Sequence, residues 1–146
     1  MQENFKVSEI HQKVLIPAAT PDEVYKALLS SKQHSDFTGS KATCSARKGS
    51  MFTAWDGYIS GKNLELIKGK KIVQEWQTSE WPKGYGPSTL EIILKKVGGE
   101  TELSFAQTNV PSSQVKEYEK GWFDSYWNPL KKYFAKSQAS EKVKDG

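Results

Sequence analysis

Cys44, His11 and His34 are the only thiol and imidazole groups in this 146-residue chain. They lie far apart and show none of the short paired spacings that hold zinc. Neither histidine has a serine, cysteine or aspartate at the spacing of a nucleophile motif. Asp36, Asp56 and Asp124 are isolated carboxylates, of the kind that cap elements or solvate a surface. "GYGP" at 84–87 is followed by no Lys-Ser/Thr pair and no dinucleotide pattern, so it is not a phosphate loop. Residue chemistry therefore makes no case for an enzyme, a metal or a cofactor. A lone cysteine excludes an internal disulfide and fits a reducing compartment.

Large aromatic side chains are plentiful by contrast: five Trp, six Tyr and six Phe. If several point into one enclosed volume, they can pack irregularly and leave a pocket for an apolar ligand. The elements that would position them follow from periodicity. "EIHQKVLIPA" (9–18) alternates and reads as a strand. "TPDEVYKALLS" (20–30) carries a Thr-x-x-Glu capping box, Pro21 at the first helical position, and an apolar stripe of Val24, Ala27 and Leu28. "SKQHSDFTG" (31–39) reads as a short second helix ended by Gly39. Between 41 and 109 the period becomes two. "KATCSA", "MFTAW", "DGYISGKNLELI", "KIVQEWQTS", "STLEIILKKV" and "TELSFAQTNV" read as strands of a meander. One face carries Ile72, Gln74 and Trp76, the next Leu90, Ile92 and Leu94, the next Leu103 and Phe105.

"PSSQVKEYEKGWFDSYWNPLKKYFAK" is the last element, with serine caps expected after Pro111. Val115, Tyr118, Trp122, Tyr126, Leu130 and Phe134 recur at steps of three and four. From Ser113 to Lys136 such a helix would be ~36 Å long. Pro129 within it should cause a kink near Ser125. Gly121 is expected to let the helix approach the sheet closely, at ~1 kcal/mol of helix propensity.

The order is one strand, two short helices, about six strands and a long helix. That predicts an α+β fold, a curved antiparallel sheet of six to seven strands gripping the C-terminal helix. One domain is expected over residues 1–136, followed by a flexible polar tail at 137–146. A net charge of +4 with no basic stripe and no nucleic-acid motif reads as a solvated lysine-rich surface. No run approaches the ~20 apolar residues of a membrane helix, and the N-terminus has no signal-peptide core. A cytoplasmic monomer, bound to neither nucleic acid nor membrane, is the expectation.

"ISGKNLELIKGKKIVQEWQTSEWPKGYGPSTLEIILKKVGGETELSFAQTNVP" followed by "EKGWFDSYWNPLKKYF" resembles the C-terminal domain of the Hsp90 ATPase activator (Aha1) family. The likeness runs from Ser8 to Phe134. Its most specific parts are Gly57-x-x-x-Gly61, "EWQTSEWPKG", "GGETEL", "NVP" and the "GW" of the last helix. The family belongs to the START-like, helix-grip superfamily, whose architecture agrees with the one read from periodicity. The resemblance implies two functions. One is a non-enzymatic cochaperone module that binds Hsp90 and stimulates its ATPase. The other is a carrier or sensor of a small apolar ligand held between the last helix and the sheet. Two-domain activators of the family carry a further N-terminal docking domain. Only seven residues precede the likeness here, and a stand-alone domain is expected to bind the chaperone more weakly. The cavity is expected to be lined by Trp55, Trp76, Trp81, Leu90, Phe105, Trp122 and Tyr126. Trp81, made extended by Pro82, should fold over the mouth of the sheet as a lid or a wall of the entrance.

Overall fold

The computed structural model describes the backbone of residues 6–145 and the side chains of residues 6–136. Six antiparallel strands form one sheet: β1 (Val7–Pro17), β2 (Met51–Ala54), β3 (Ile59–Ile67), β4 (Lys71–Thr78), β5 (Ser88–Val97) and β6 (Glu100–Pro111). Their spatial order is β1-β6-β5-β4-β3-β2. The five later strands are a meander, and the first closes onto the last with Val14 opposite Leu103. Two short helices, α1 (Pro21–Leu29) and α2 (Ser31–Thr38), separate β1 from β2. The chain then ends in a helical run: α3 (Val115–Trp122), a π turn (Phe123–Trp127) and α4 (Asn128–Asp145). This is the helix-grip arrangement that the sequence periodicity predicts.

Local signals account for most boundaries. The Thr20 side chain accepts from the Glu23 amide at 3.1 Å while the Glu23 carboxylate accepts from the Thr20 amide at 2.9 Å, a reciprocal capping box. Gly39 ends α2 in the left-handed region at φ 79°. Alternation buries Ser88, Leu90, Ile92 and Leu94 on β5 and Thr101, Leu103, Phe105 and Gln107 on β6. Gly61 of β3 is needed for close approach. A Cβ there would sit 1.9 Å from the Glu75 carbonyl oxygen and 2.6 Å from the Phe52 ring, which lies across from it on β2.

Three expectations are corrected. "KATCSA" is not a strand: its one ladder contact is an isolated Thr43–Thr53 bridge. Side chains of α2 take its backbone groups instead. The Ser31 hydroxyl bonds the Cys44 amide and carbonyl, and the Ser35 hydroxyl the Ala42 amide and carbonyl. The serines after Pro111 do not cap the last helix. Gln114 is the N-cap residue and makes no side-chain cap bond, while Ser112 bonds to Ser8. Gly121 does not permit close packing on the sheet, because a Cβ there would meet nothing within 4 Å.

Pro129 is accommodated by the π turn directly before it, in which the Asn128 amide donates to the Phe123 carbonyl. Proline lacks an amide and crowds the carbonyl four residues back, so one α-helical bond near Ser125 must be given up. Five-residue spacing results. Trp122 and Trp127 both turn inward, with rings 5.4 Å apart and nearly parallel at 18°. Helical backbone continues to Asp145. The polar tail expected at 137–146 lies outside the residues whose side chains are described.

A candidate binding cleft at the edge of the helix grip

The space between the last helix and the sheet divides in two. Its interior is nearly filled. Trp127, Leu130, Leu103 and Ile10 are fully buried, and Phe105 lies 4.5 Å from Trp122 and 5.4 Å from Trp127, ring centre to ring centre. A void in it, bordered by Leu28, His34, Leu90, Ile92 and Tyr126 among others, is about 30 Å³. That is about the volume of one water molecule.

Polar groups in this interior are satisfied in chains. The Trp122 indole donates to Gln107 at 2.9 Å, Gln107 donates to the Ser88 hydroxyl at 2.9 Å, and Ser88 donates to the Trp76 carbonyl at 2.6 Å. The Trp127 indole donates to Gln12 at 2.7 Å. Among the described residues no buried side-chain nitrogen or oxygen lacks a partner. Such saturation fixes the helix on the sheet and leaves nothing inside to recognise a polar ligand.

The second region is open. A cleft of about 520 Å³ runs along the edge of the helical run beside the β2–β3 turn. The helix contributes Glu117, Tyr118, Gly121, Trp122, Ser125 and Tyr126, two rows at four-residue spacing. The sheet contributes Trp55, Tyr58, Ile59 and Trp76. Gly121 keeps the middle of this wall low, since only empty space faces its Cα.

Trp55 and Asp56 both have left-handed backbone, at φ 53° and 55°. For a bulky residue this conformation is strained, so something must hold it. The Asp56 amide donates to the Lys41 carbonyl at 2.9 Å, and the Tyr58 amide donates to the Trp55 carbonyl at 3.1 Å. Behind this turn Tyr126 begins a hydrogen-bonded relay. Tyr126 lies 3.0 Å from His34 Nε2, and His34 Nδ1 lies 3.0 Å from the Leu28 carbonyl. One assignment satisfies the ring: Tyr126 donates to Nε2, and Nδ1–H donates to Leu28.

Burial sets the charge states along this relay. It lowers the His34 pKa, against a smaller opposing effect of the Leu28 carbonyl. It pushes the Tyr126 hydroxyl up and the Cys44 thiol up to about 11. Cys44 Sγ is 3.6 Å from His34 Nδ1, yet a neutral thiol beside a neutral imidazole is a packing contact rather than a primed nucleophile. Tyr118 is pushed up to about 12, mainly by burial, while accepting a bond from Thr78 and donating to Gln114. Among the described residues no group of three or more His, Cys, Asp or Glu is placed to hold a metal.

Of the seven residues expected to line a cavity, Trp55, Trp76, Trp122 and Tyr126 come together in the cleft. Leu90 borders only the small interior void. Phe105 lines neither and is core. Trp81 also lines neither. Its ring covers Trp76 and Tyr118 at 6.0 and 5.8 Å, and its indole donates to the Gly86 carbonyl at 2.9 Å, pinning its own loop. Sequence reasoning missed Tyr58, Ile59, Glu117, Tyr118, Gly121 and Ser125 as lining residues. The repeated small or polar residue at 117, 121 and 125 was the available signal.

A family model described as activator of Hsp90 ATPase homolog 1-like protein matches residues 18–135, most of the chain. The chain belongs to this family. It is similar to the Homo sapiens activator of 90 kDa heat shock protein ATPase homolog 1, with 30% identity over 115 residues. That alignment covers 79% of this chain and 34% of the human protein. The activator homolog of Dictyostelium discoideum is 29% identical over 120 residues, covering 81% of this chain and 31% of that protein. The chain thus spans about a third of the length of these relatives. Among solved structures, an HSP90 activator from Plasmodium falciparum superposes with a TM-score of 0.74 at 21% identity, covering 85% and 92% of the two chains. Ara h 8.0201 superposes at 0.71 with 9% identity, covering 90% and 99%. These structural likenesses establish the helix-grip fold. No helix among the described residues is long and apolar enough to cross a membrane.

Proposed function

We propose that this chain is a non-enzymatic cochaperone module of the cytoplasm that binds an Hsp90-type chaperone and stimulates its ATPase. The family match across 18–135 carries this reading, with relatives named as activators of that ATPase. The interior supports it: packed and hydrogen-bonded throughout, it leaves the work to the surface. Titration of the isotope-labelled chain with the cognate Hsp90 tests it. Saturable shifts of surface amides are expected. An unchanged spectrum at chaperone concentrations well above micromolar would refute the reading.

The cleft favours a second reading, binding of a small ligand with apolar surface. Its volume and aromatic walls suit such a ligand better than the interior does. Tryptophan fluorescence should then change on adding flat aromatic compounds. Gly121→Leu, which would place a side chain in the empty middle of the cleft, should abolish the change.

A further inference from the structure

The chain carries 21 Lys and Arg against 17 Asp and Glu, yet among the described residues no basic one lines the cleft. The one charged lining residue among them is Glu117, which is exposed. No lysine, arginine or histidine among the described residues lies within ion-pair distance of Glu117. Lys120, one turn on, pairs with Asp124 at 3.9 Å instead. Six aromatic residues line the same cleft: Trp55, Tyr58, Trp76, Tyr118, Trp122 and Tyr126. Aromatic faces carry negative quadrupole potential and attract organic cations, most strongly where water is displaced. A carboxylate at the mouth adds charge complementarity and steers a cation inward.

Of the three tryptophans that line the cleft, Trp55 is the one that is not buried, and it stands on left-handed backbone. The Tyr126 hydroxyl is taken up by His34, and that of Tyr118 by Thr78 and Gln114, so neither needs a partner from a ligand. Hydrogen-bond donors that would call for an anionic ligand are therefore few. Taking the small-ligand reading of the cleft as its basis, we infer that the cleft is a site for a small organic ammonium ion with an apolar or aromatic body, Glu117 facing its charge.

The test compares phenyltrimethylammonium with its neutral isostere tert-butylbenzene, each titrated into the protein and followed by the indole resonances. The ammonium ion is expected to bind about tenfold more tightly than the isostere. Glu117→Gln should weaken the ammonium ion severalfold and leave the isostere unchanged, and being exposed it should fold normally. Gly121→Leu should block both. Equal binding of the two probes would overturn the cation inference while leaving the small-ligand reading standing. Binding of neither would remove both.

Discussion

Gly61 and Gly121 face opposite surroundings within the same helix grip. A Cβ at Gly61 would strike the Glu75 carbonyl and the Phe52 ring, whereas one at Gly121 would meet nothing within 4 Å. The first belongs to a region that is already filled, the second to a region that is open. The same contrast separates the interior, with a void of about 30 Å³, from the cleft of about 520 Å³ along the same helical run. Trp76, Trp122 and Tyr126 border both spaces. Stability rests on the filled space, and the proposed recognition on the open one. Substitutions should separate them.

The largest expected effect is Trp127→Ala. It removes a fully buried ring stacked on Trp122 and leaves Gln12 without its indole donor, and should cost about 4 kcal/mol in denaturant unfolding. Gly61→Ala should follow at about 3 kcal/mol, because backbone rather than a flexible side chain must give way. A loss under about 1 kcal/mol there would mean that the sheet edge is softer than its packing implies.

A pH effect comes next. Burial lowers the His34 pKa in the folded chain, and the unfolded chain titrates near 6.5. The unfolded state therefore binds more protons below that value, so stability should be constant above it and fall as pH drops below it. Tyr126 and Cys44, the titratable groups in contact with the ring, stay neutral throughout and do not offset the loss. Melting temperature measured from pH 8 to pH 5 should show this decline, and His34→Gln should flatten it. Smallest is Gly121→Ala, expected to stabilise by up to about 1 kcal/mol through helix propensity, since the added methyl clashes with nothing.

Alternation of apolar residues made the sheet readable, because β5 and β6 each bury one face while the other is exposed or half-buried. It misled at Ala42–Cys44, where alternation continues but serines of α2, rather than a neighbouring strand, bond the backbone. The π turn was hidden for a different reason. Tyr118, Trp122, Tyr126, Leu130 and Phe134 fit a regular α stripe that leaves out Trp127, although Trp127 is fully buried. Only Pro129, two residues later, hinted at a local change of spacing. The bond between Tyr126 and His34 joins residues 92 apart, a distance that no local pattern spans. Aromatic content pointed to a lined space between helix and sheet. It could not tell that Phe105 and Leu90 fill the interior while Trp55 and Tyr58 border the cleft, because that division depends on the left-handed turn at 55–57.

ATP turnover by the cognate Hsp90, measured with increasing amounts of this chain, bears most directly on its role. A rate that rises with the chain's concentration and then saturates is the predicted result, and Glu117→Gln and Gly121→Ala, which leave the interior untouched, should keep the protein folded for the comparison. Turnover unchanged at saturating concentrations of the folded chain would contradict a role as an activator of that ATPase.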